Sequence, residues 1–192
     1  PENDDMRICG SAASLTGLEK GLEDNSSNDV ELSIRRMEML YGVAYSIGGI
    51  PLLYLGDEWG VLNDYSYLDS PGKKHDSRWV HRPDLKKGIQ SNLVKKSVAD
   101  RLTNWFSKMA KVRSSEPVLG NTPTRFPEQV DPHLFTFVRG NGAEKVLVIA
   151  NFSEHHRHVH TGWISDQLQA VSYRNLLNGE ERSLNENLDV PP

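Results

Sequence analysis

The chain has 192 residues, of which 37% are hydrophobic and 25% are charged, and 22 basic residues stand against 26 acidic ones for a formal net charge of −4. This balance does not favour binding to nucleic acid or to an anionic membrane, and the longest apolar run, Ile50 to Leu55, is far too short to span a bilayer. The single cysteine, Cys9, excludes an internal disulfide, and no signal-peptide pattern opens the sequence, which leaves the compartment open.

The first strong pattern predicts an amphipathic helix that begins near Asn28. Asn28 and Glu31 have the spacing of a capping box, and apolar residues then recur at helical spacing until Gly48-Gly49 ends the run. The apolar run from Ile50 to Leu55 predicts a strand that is buried on both faces. A helix followed by such a strand is typical of one α/β unit of a parallel sheet.

Residues 61–96 form a polar stretch that is much longer than the usual connection of roughly two to six residues in an α/β unit. Disordered segments are poor in aromatic residues. Four aromatics occur here or just before it: Trp59, Tyr65, Tyr67 and Trp79. We therefore predict a functional loop, in which Trp59 and Trp79 pack against the scaffold. A second helix, capped by Ser97 and Asp100, is predicted to follow and to end before Pro117.

From about residue 122 the pattern changes to short strands. We predict strands at 134–138, 145–150, 155–161 and 171–177, separated by turn signals at 140–142 and 178–179. Such short strands with regular turns are typical of an antiparallel β-sandwich.

A histidine cluster falls in the third of these strands. Alternation would place His156, His158 and His160 on one face, beside His155. No cysteine or carboxylate lies at ligand spacing in the sequence to complete a closed metal site. We therefore interpret this run as a solvated strand face and predict no metal site.

The most informative segment is 48–83, where the apolar run leads into the polar loop. It contains Gly49-x-Pro51-Leu52-x-Tyr54-x-Gly56-Asp57-Glu58-x-Gly60 and Asp76-Ser77-Arg78-Trp79-x-His81-Arg82-Pro83. Acids, aromatics and an arginine that we expect to be buried, without a glycine-rich phosphate loop, are typical of a sugar pocket at the C-terminal end of a barrel strand.

These motifs carry a resemblance to a known family. The first motif resembles the last barrel strand of the α-amylase family of glycoside hydrolases, and the second narrows the resemblance to the amylosucrase and sucrose hydrolase branch. Two further segments, Asp5-x-Arg7-x-x-Gly10-Ser11-Ala12-Ala13 and Asn151-Phe152-Ser153, resemble the segment before the seventh barrel helix and a strand of the C-terminal sandwich. The resemblance therefore runs through nearly the whole chain.

The resemblance implies two domains of a mixed α/β and β protein. Residues 1–118 correspond to the C-terminal end of a (β/α)8 TIM barrel, including the long loop after the eighth strand, and residues 119–192 to an antiparallel β-sandwich. A complete barrel needs about 250 residues. We therefore expect this chain to be the C-terminal part of a longer enzyme, whose sandwich continues beyond Pro192.

The resemblance also implies a substrate-binding set of Arg78, Arg7, Asp76 and Asp57. Arg78 would pair with an acid from early in the barrel and close the glucose site, so that only one sugar unit fits, and Arg7 would contact the acceptor. A planar, permanently charged guanidinium suits this task. The competing interpretation of Arg78 is a salt bridge within its own loop. Glu58 follows Asp57 directly and would point to the opposite face, so we interpret it as structural.

Retaining enzymes of this kind need a nucleophile and an acid about 5–5.5 Å apart. The family motifs for both, and for a sugar-gripping His-Asp pair, have no match here, and His75-Asp76 lies after the eighth strand and is not that pair. We therefore expect no catalytic residue in this chain and no activity from it alone. No metal or organic cofactor is implied.

The implied activity is transfer of glucose from sucrose to an α-glucan or maltooligosaccharide, or to water. The missing part of the barrel, or a second copy, is the expected protein partner. Two alternatives stay open: another α-amylase-family enzyme, such as a trehalose synthase or an α-glucan hydrolase, and a non-catalytic module that binds glucan or stabilises a barrel.

Overall fold

The computed structural model describes residues 8–83 and 96–192, with side chains from Ser97 onward in the second range. These residues form two compact units. One takes the described residues of 1–37 and 53–104, and the other takes residues 38–52 and 105–192. Within the described ranges, no helix is long and apolar enough to cross a membrane.

Helices dominate the first part of the chain and short strands the second. The α-helices are α1 Ala12–Leu15, α2 Leu18–Glu23, α3 Ser27–Ser46, α4 Lys96–Ser115 and α5 Thr161–Leu168. The strands are β1 Thr124–Arg125, β2 Leu134–Arg139, β3 Val146–Asn151, β4 Arg157–Val159, β5 Ser172–Arg174, β6 Glu181–Ser183 and β7 Leu188–Val190. The two long helices predicted from periodicity are thus confirmed.

The N-terminus of α3 is capped differently from the prediction. The Ser26 hydroxyl, rather than the Asn28 side chain, accepts a hydrogen bond from the backbone N–H of Asp29 at 3.3 Å. Glu31 instead accepts from Arg35 Nε at 2.8 Å and pairs with Arg101 of α4. The hydrogen bond from Arg101, followed by that from Arg35, lowers the pKa of Glu31. The carboxylate therefore joins the two long helices.

The predicted strand from Ile50 to Leu55 is wrong for the structure as described. Ile50 is 96% exposed and Leu52 80% exposed, and none of the three sheets within the described residues includes this segment. An apolar run becomes a strand only when neighbouring strands satisfy its backbone groups and cover its faces. No such neighbour lies beside it within residues 8–83 and 96–192.

The second unit contains three antiparallel sheets. Their strand orders are β1-β2-β3, β4-β7 and β5-β6, and β2 pairs with β3 from Leu134 opposite Asn151 to Arg139 opposite Val146. One buried cluster of this unit consists of Leu134, Val159, Ile164 and Val190, against which six further apolar side chains pack. The predicted antiparallel pairing is confirmed.

The predicted strand at 155–161 is shorter in the structure, where β4 covers only Arg157–Val159 and Thr161 begins α5. His160 Nδ1 accepts from the N–H of Gly162 at 3.1 Å and caps this helix, and Ile164 is buried in the core. Packing of Ile164 thus overrides the alternation read from the sequence.

Arg139 of β2 is a fully buried charged residue of the second unit. Its side chain is 0% exposed, and it donates to the backbone oxygens of Ser46 at 2.7 Å, Gly120 at 2.7 Å and Thr122 at 3.0 Å. Burial, and then the charge of nearby Arg113, lower its pKa. The guanidinium thereby ties the C-terminal end of α3, where helical carbonyls lack partners, to the segment that leads into the sheets.

Candidate functional site

The motif loop, which we define as residues 56–83, is a folded segment built on three 3₁₀ turns. These turns are Asp57–Trp59, Tyr65–Asp69 and Ser77–His81. The carboxylates of Asp64 and Asp76 accept from the N–H groups of Ser66 and Arg78 at 3.0 Å, which begins the second and third turns. The Asp64 N–H donates to the Val80 carbonyl at 2.7 Å and closes the loop on itself.

Asp76 and Arg78 form a bidentate ion pair within this loop. Arg78 Nε donates to Oδ1 and Nη2 to Oδ2, each at 2.8 Å. The hydrogen bonds from Arg78 lower the pKa of Asp76 to about 2, and the carboxylate raises the pKa of Arg78. Both groups are therefore fully charged at neutral pH.

The expectation that Arg78 is buried is wrong. Its side chain is 52% exposed and that of Asp76 is 34% exposed. The guanidinium pairs with a carboxylate two residues away because the turn at Asp76 folds the backbone back, which is the competing interpretation given above. The exposed pair remains open to a ligand.

Two basic side chains of the loop lie near the ring of Trp79. Lys73 Nζ lies 4.3 Å from the centroid of the Trp79 ring, and the Arg82 guanidinium lies 5.8 Å from it. These contacts lie within the loop, so packing of Trp59 and Trp79 against the scaffold stays a prediction. Tyr65 is 53% exposed, and its hydroxyl donates to Glu19 at 3.2 Å.

A second motif segment contacts the loop. The Ser11 N–H donates to Asn63 Oδ1 at 2.9 Å, the Asn63 N–H donates to Ser14 Oγ at 3.0 Å, and Ser77 Oγ lies 3.6 Å from Cys9 Sγ. The segment around Gly10-Ser11-Ala12-Ala13 and the segment of Asp76 and Arg78 therefore lie together. Arg7, two residues before Cys9, lies outside the described residues.

Asp57 and Glu58 lie in a 3₁₀ turn and not in a continuing strand. Asp57 is only 5% exposed. Glu58 Oε2 accepts from the Gly56 N–H at 2.8 Å, and the Glu58 carbonyl accepts from Thr103 Oγ1 at 3.0 Å. Glu58 thus has the structural role that the sequence predicted, and Asp57 is enclosed in this conformation.

Two other features bear on ligands. A pocket of about 200 Å³ lies where α3 and α4 begin, with Ser26, Val30, Ser97 and Val98 in its wall, and it includes no predicted site residue. Within the described part of the chain, no group of three or more His, Cys, Asp or Glu side chains is arranged to hold a metal ion.

Sequence reasoning missed a carboxylate beside the histidine cluster. Asp189 of β7 lies opposite His158, and its Oδ2 is 2.8 Å from His156 Nδ1 while its Oδ1 is 3.5 Å from His158 Nδ1. Asp189 approaches the histidines because β4 pairs with a strand about thirty residues away along the chain, and spacing in the sequence does not show this. No local sequence signal could have revealed this pairing.

No family model matches the sequence. Among solved structures, a variant of AmyP in complex with maltotriose superposes with a TM-score of 0.67 at 14% identity, over 92% of this chain and 36% of that chain. An α-amylase from Anoxybacillus gives a TM-score of 0.56 at 18% identity, over 90% of this chain and 32% of that one. The isomaltulose synthase from Klebsiella sp. LX3 gives 0.56 at 16% identity, over 82% and 36%.

These similarities concern the fold, since the identities are low. The chain spans about a third of the length of the structures that it matches.

Proposed function

We propose that this chain is the C-terminal part of an α-amylase-family enzyme that acts on sucrose, in the manner of amylosucrase. The enzyme would transfer glucose from sucrose to an α-glucan or to water, with Arg78, Asp76, Arg7 and Asp57 in its sugar site. The motifs in the sequence and the fold likeness to AmyP in complex with maltotriose and to an isomaltulose synthase both support a carbohydrate substrate.

The observation that carries this proposal is the contact between the two motif segments. Ser77, which lies between Asp76 and Arg78, approaches Cys9 to 3.6 Å, although 68 positions separate them in the sequence. Asn63 adds two hydrogen bonds between the same parts of the chain. Two segments that resemble the same family site independently thus lie side by side, as a shared sugar site requires.

The Asp76–Arg78 pair has the chemistry for binding sugar hydroxyls. A carboxylate accepts and a guanidinium donates charge-assisted hydrogen bonds, and the bidentate pairing holds both in a fixed geometry. With the pKa of Asp76 near 2, this carboxylate stays an acceptor at any physiological pH. A prealigned donor and acceptor lower the entropic cost of orienting a substrate.

The test is the substitution Arg78→Ala in the longer protein that contains this segment, assayed by fructose release from sucrose. We expect kcat/KM for sucrose to fall by about 100-fold, the usual scale for loss of a positioning group. Arg182→Ala is a matched control, because Arg182 also pairs with a carboxylate two residues earlier, Glu180, and is 56% exposed. Equal activity of the two variants would contradict the proposal.

A second candidate function is glucan binding without catalysis, and a phenylalanine cluster favours it. Phe126, Phe137 and Phe152 surround Phe135 with ring centroids 5.5–6.4 Å away, and Phe126 and Phe152 are 56% and 52% exposed. Exposed rings offer apolar faces on which sugars stack. A calorimetric titration of the chain with maltoheptaose tests this candidate. A saturable heat of binding that disappears in Phe126→Ala supports glucan binding, and the absence of a heat of binding in the unaltered chain contradicts it.

A further inference from the structure

One side-chain cluster lies outside the proposed sugar site and has a chemistry of its own. His156 and His158 both direct Nδ1 toward the single carboxylate of Asp189, at 2.8 and 3.5 Å. The three side chains are 60%, 71% and 52% exposed. Neither the proposed sugar chemistry nor the core of the second unit uses them.

The carboxylate determines which nitrogen carries the proton. An ionised aspartate only accepts hydrogen bonds, so a neutral imidazole that faces it holds its proton on Nδ1 and leaves the lone pair on Nε2. This is the arrangement in which metal-ligating histidines are held, with a carboxylate behind the ring. His160 is the opposite case, because its Nδ1 accepts from Gly162 and its proton must lie on Nε2.

The two rings share one carboxylate at the edge of a strand pair. His158 lies directly opposite Asp189 in the β4–β7 pair, and His156, which immediately precedes β4, reaches the other oxygen of the same carboxylate. The neighbouring positions, Val159 and Val190, are 0% and 8% exposed in the core. The strand pair is therefore anchored on its inner side while the imidazoles face solvent.

We propose that His156 and His158 bind a divalent transition-metal ion through Nε2, with Asp189 as the residue that orients both rings. Neutral imidazole is a ligand for Ni²⁺, Cu²⁺ and Zn²⁺ rather than for Mg²⁺ or Ca²⁺. The negative charge of Asp189 beside the rings favours a cation further. Two protein ligands leave the other coordination positions to water, so the site is open, consistent with the lack of a three-ligand cluster in the described residues.

The test is a calorimetric titration of the full chain, free of any affinity tag, with Ni²⁺. We expect one site whose affinity falls at least tenfold in His156→Gln and in His158→Gln, since one imidazole alone is a weak ligand. Asp189→Asn should weaken binding by about 10–100-fold, as loss of an orienting partner does. His133→Gln is the matched control, because His133 also faces a carboxylate, Asp131 at 3.1 Å, and among the described residues no second histidine is paired with that carboxylate.

A second readout needs no variant. Paramagnetic Ni²⁺ should broaden the ring proton signals of His156 and His158 in the wild-type chain before those of His133. Unchanged affinity in His156→Gln or His158→Gln, an equal loss in His133→Gln, or broadening at His133 first would overturn the proposal.

Discussion

At the scale of single residues, the buried guanidinium of Arg139 needs hydrogen-bond acceptors from the protein in place of water. Burying a charge is costly unless hydrogen bonds replace water. Its acceptors among the described residues are backbone carbonyls and the Thr122 hydroxyl, and its Nε is buried without a partner there. Gly48, with φ of +122°, keeps the space clear, because a Cβ at this position would lie 3.0 Å from Arg139 Nη1.

We predict that Arg139→Leu lowers the free energy of unfolding by about 2–4 kcal/mol. One buried and two partly buried carbonyls lose their donor at up to about 1–3 kcal/mol each, and this loss is partly offset because a charge is no longer buried. Urea unfolding followed by circular dichroism measures the change. Arg125→Leu is the control, since Arg125 is an exposed strand residue bonded to Gln167 at 2.9 Å, and it should cost under about 1 kcal/mol. Equal losses would show that the buried network contributes nothing.

These residues also show what could be predicted from the sequence. The Asp76–Arg78 pair was one of two stated interpretations, because both partners fall within one short motif. The burial of Arg139 was not predictable, since an arginine before Gly140 at a strand end looks like an ordinary solvated residue. Asp189 was missed for a similar reason, because its neighbours depend on a strand pairing that is not local.

At the scale of elements, the sequence predicted the helices whose formation depends on residues close together in the chain. Helices α3 and α4 follow from apolar periodicity, which is a property of consecutive residues. The run from Ile50 to Leu55 has the composition of a buried strand, but a strand takes its hydrogen bonds from other segments. Helix α5 was missed because a histidine caps it and the packing of Ile164 defines its inner face.

The β2–β3 hairpin offers a test of turn chemistry. Gly140 and Gly142 have φ of +82° and +71°, so an alanine at either position costs about 1–2 kcal/mol of backbone strain. At Gly140 a Cβ would also overlap Val118 Cγ2 and lie 2.6 Å from the Glu144 carbonyl oxygen, whereas at Gly142 nothing lies within 4 Å.

We therefore predict that Gly140→Ala destabilises the chain by about 1–3 kcal/mol more than Gly142→Ala does, because overlap adds to the strain. The difference between the thermal unfolding midpoints of the two variants measures the cost of the overlap at Gly140, because both variants carry a similar backbone strain. Equal midpoints would mean that Val118 and the Glu144 backbone move aside at no cost.

At the scale of the whole molecule, exposed apolar residues are the main departure from an ordinary folded surface. Ile50 is 96% exposed, and Leu52, two positions later in the same segment, is 80% exposed. Isolated exposed apolar residues are common, but contiguous ones usually mark a surface that another chain covers. The rest of a barrel or a second copy is the cover that we expect.

We predict that the chain self-associates and that the double substitution Ile50→Glu with Leu52→Glu reduces this association. Charges at these positions repel one another and remove the apolar area that drives contact. Sedimentation velocity at several protein concentrations gives the measurement. Val171→Glu, at an 83% exposed valine, is the control and should leave association unchanged. Association that persists in the double variant would place the contact elsewhere.

A sequence resemblance and a fold likeness both connect the whole chain with carbohydrate-active enzymes. The chain superposes on about a third of the Anoxybacillus α-amylase and of an isomaltulose synthase, and its two motif segments contact one another. The fold explains how residues distant in sequence meet. The choice of sucrose rests on the Asp76-Ser77-Arg78-Trp79 motif, because the fold is common to enzymes with different sugars.

The most direct measurement is therefore the substrate preference of the longer protein that contains this segment. It should be incubated with sucrose and, separately, with maltotriose, and the sugars released should be separated by chromatography. We predict release of fructose from sucrose, with the glucose recovered free or in an α-glucan. Cleavage of maltotriose with sucrose left intact would contradict it.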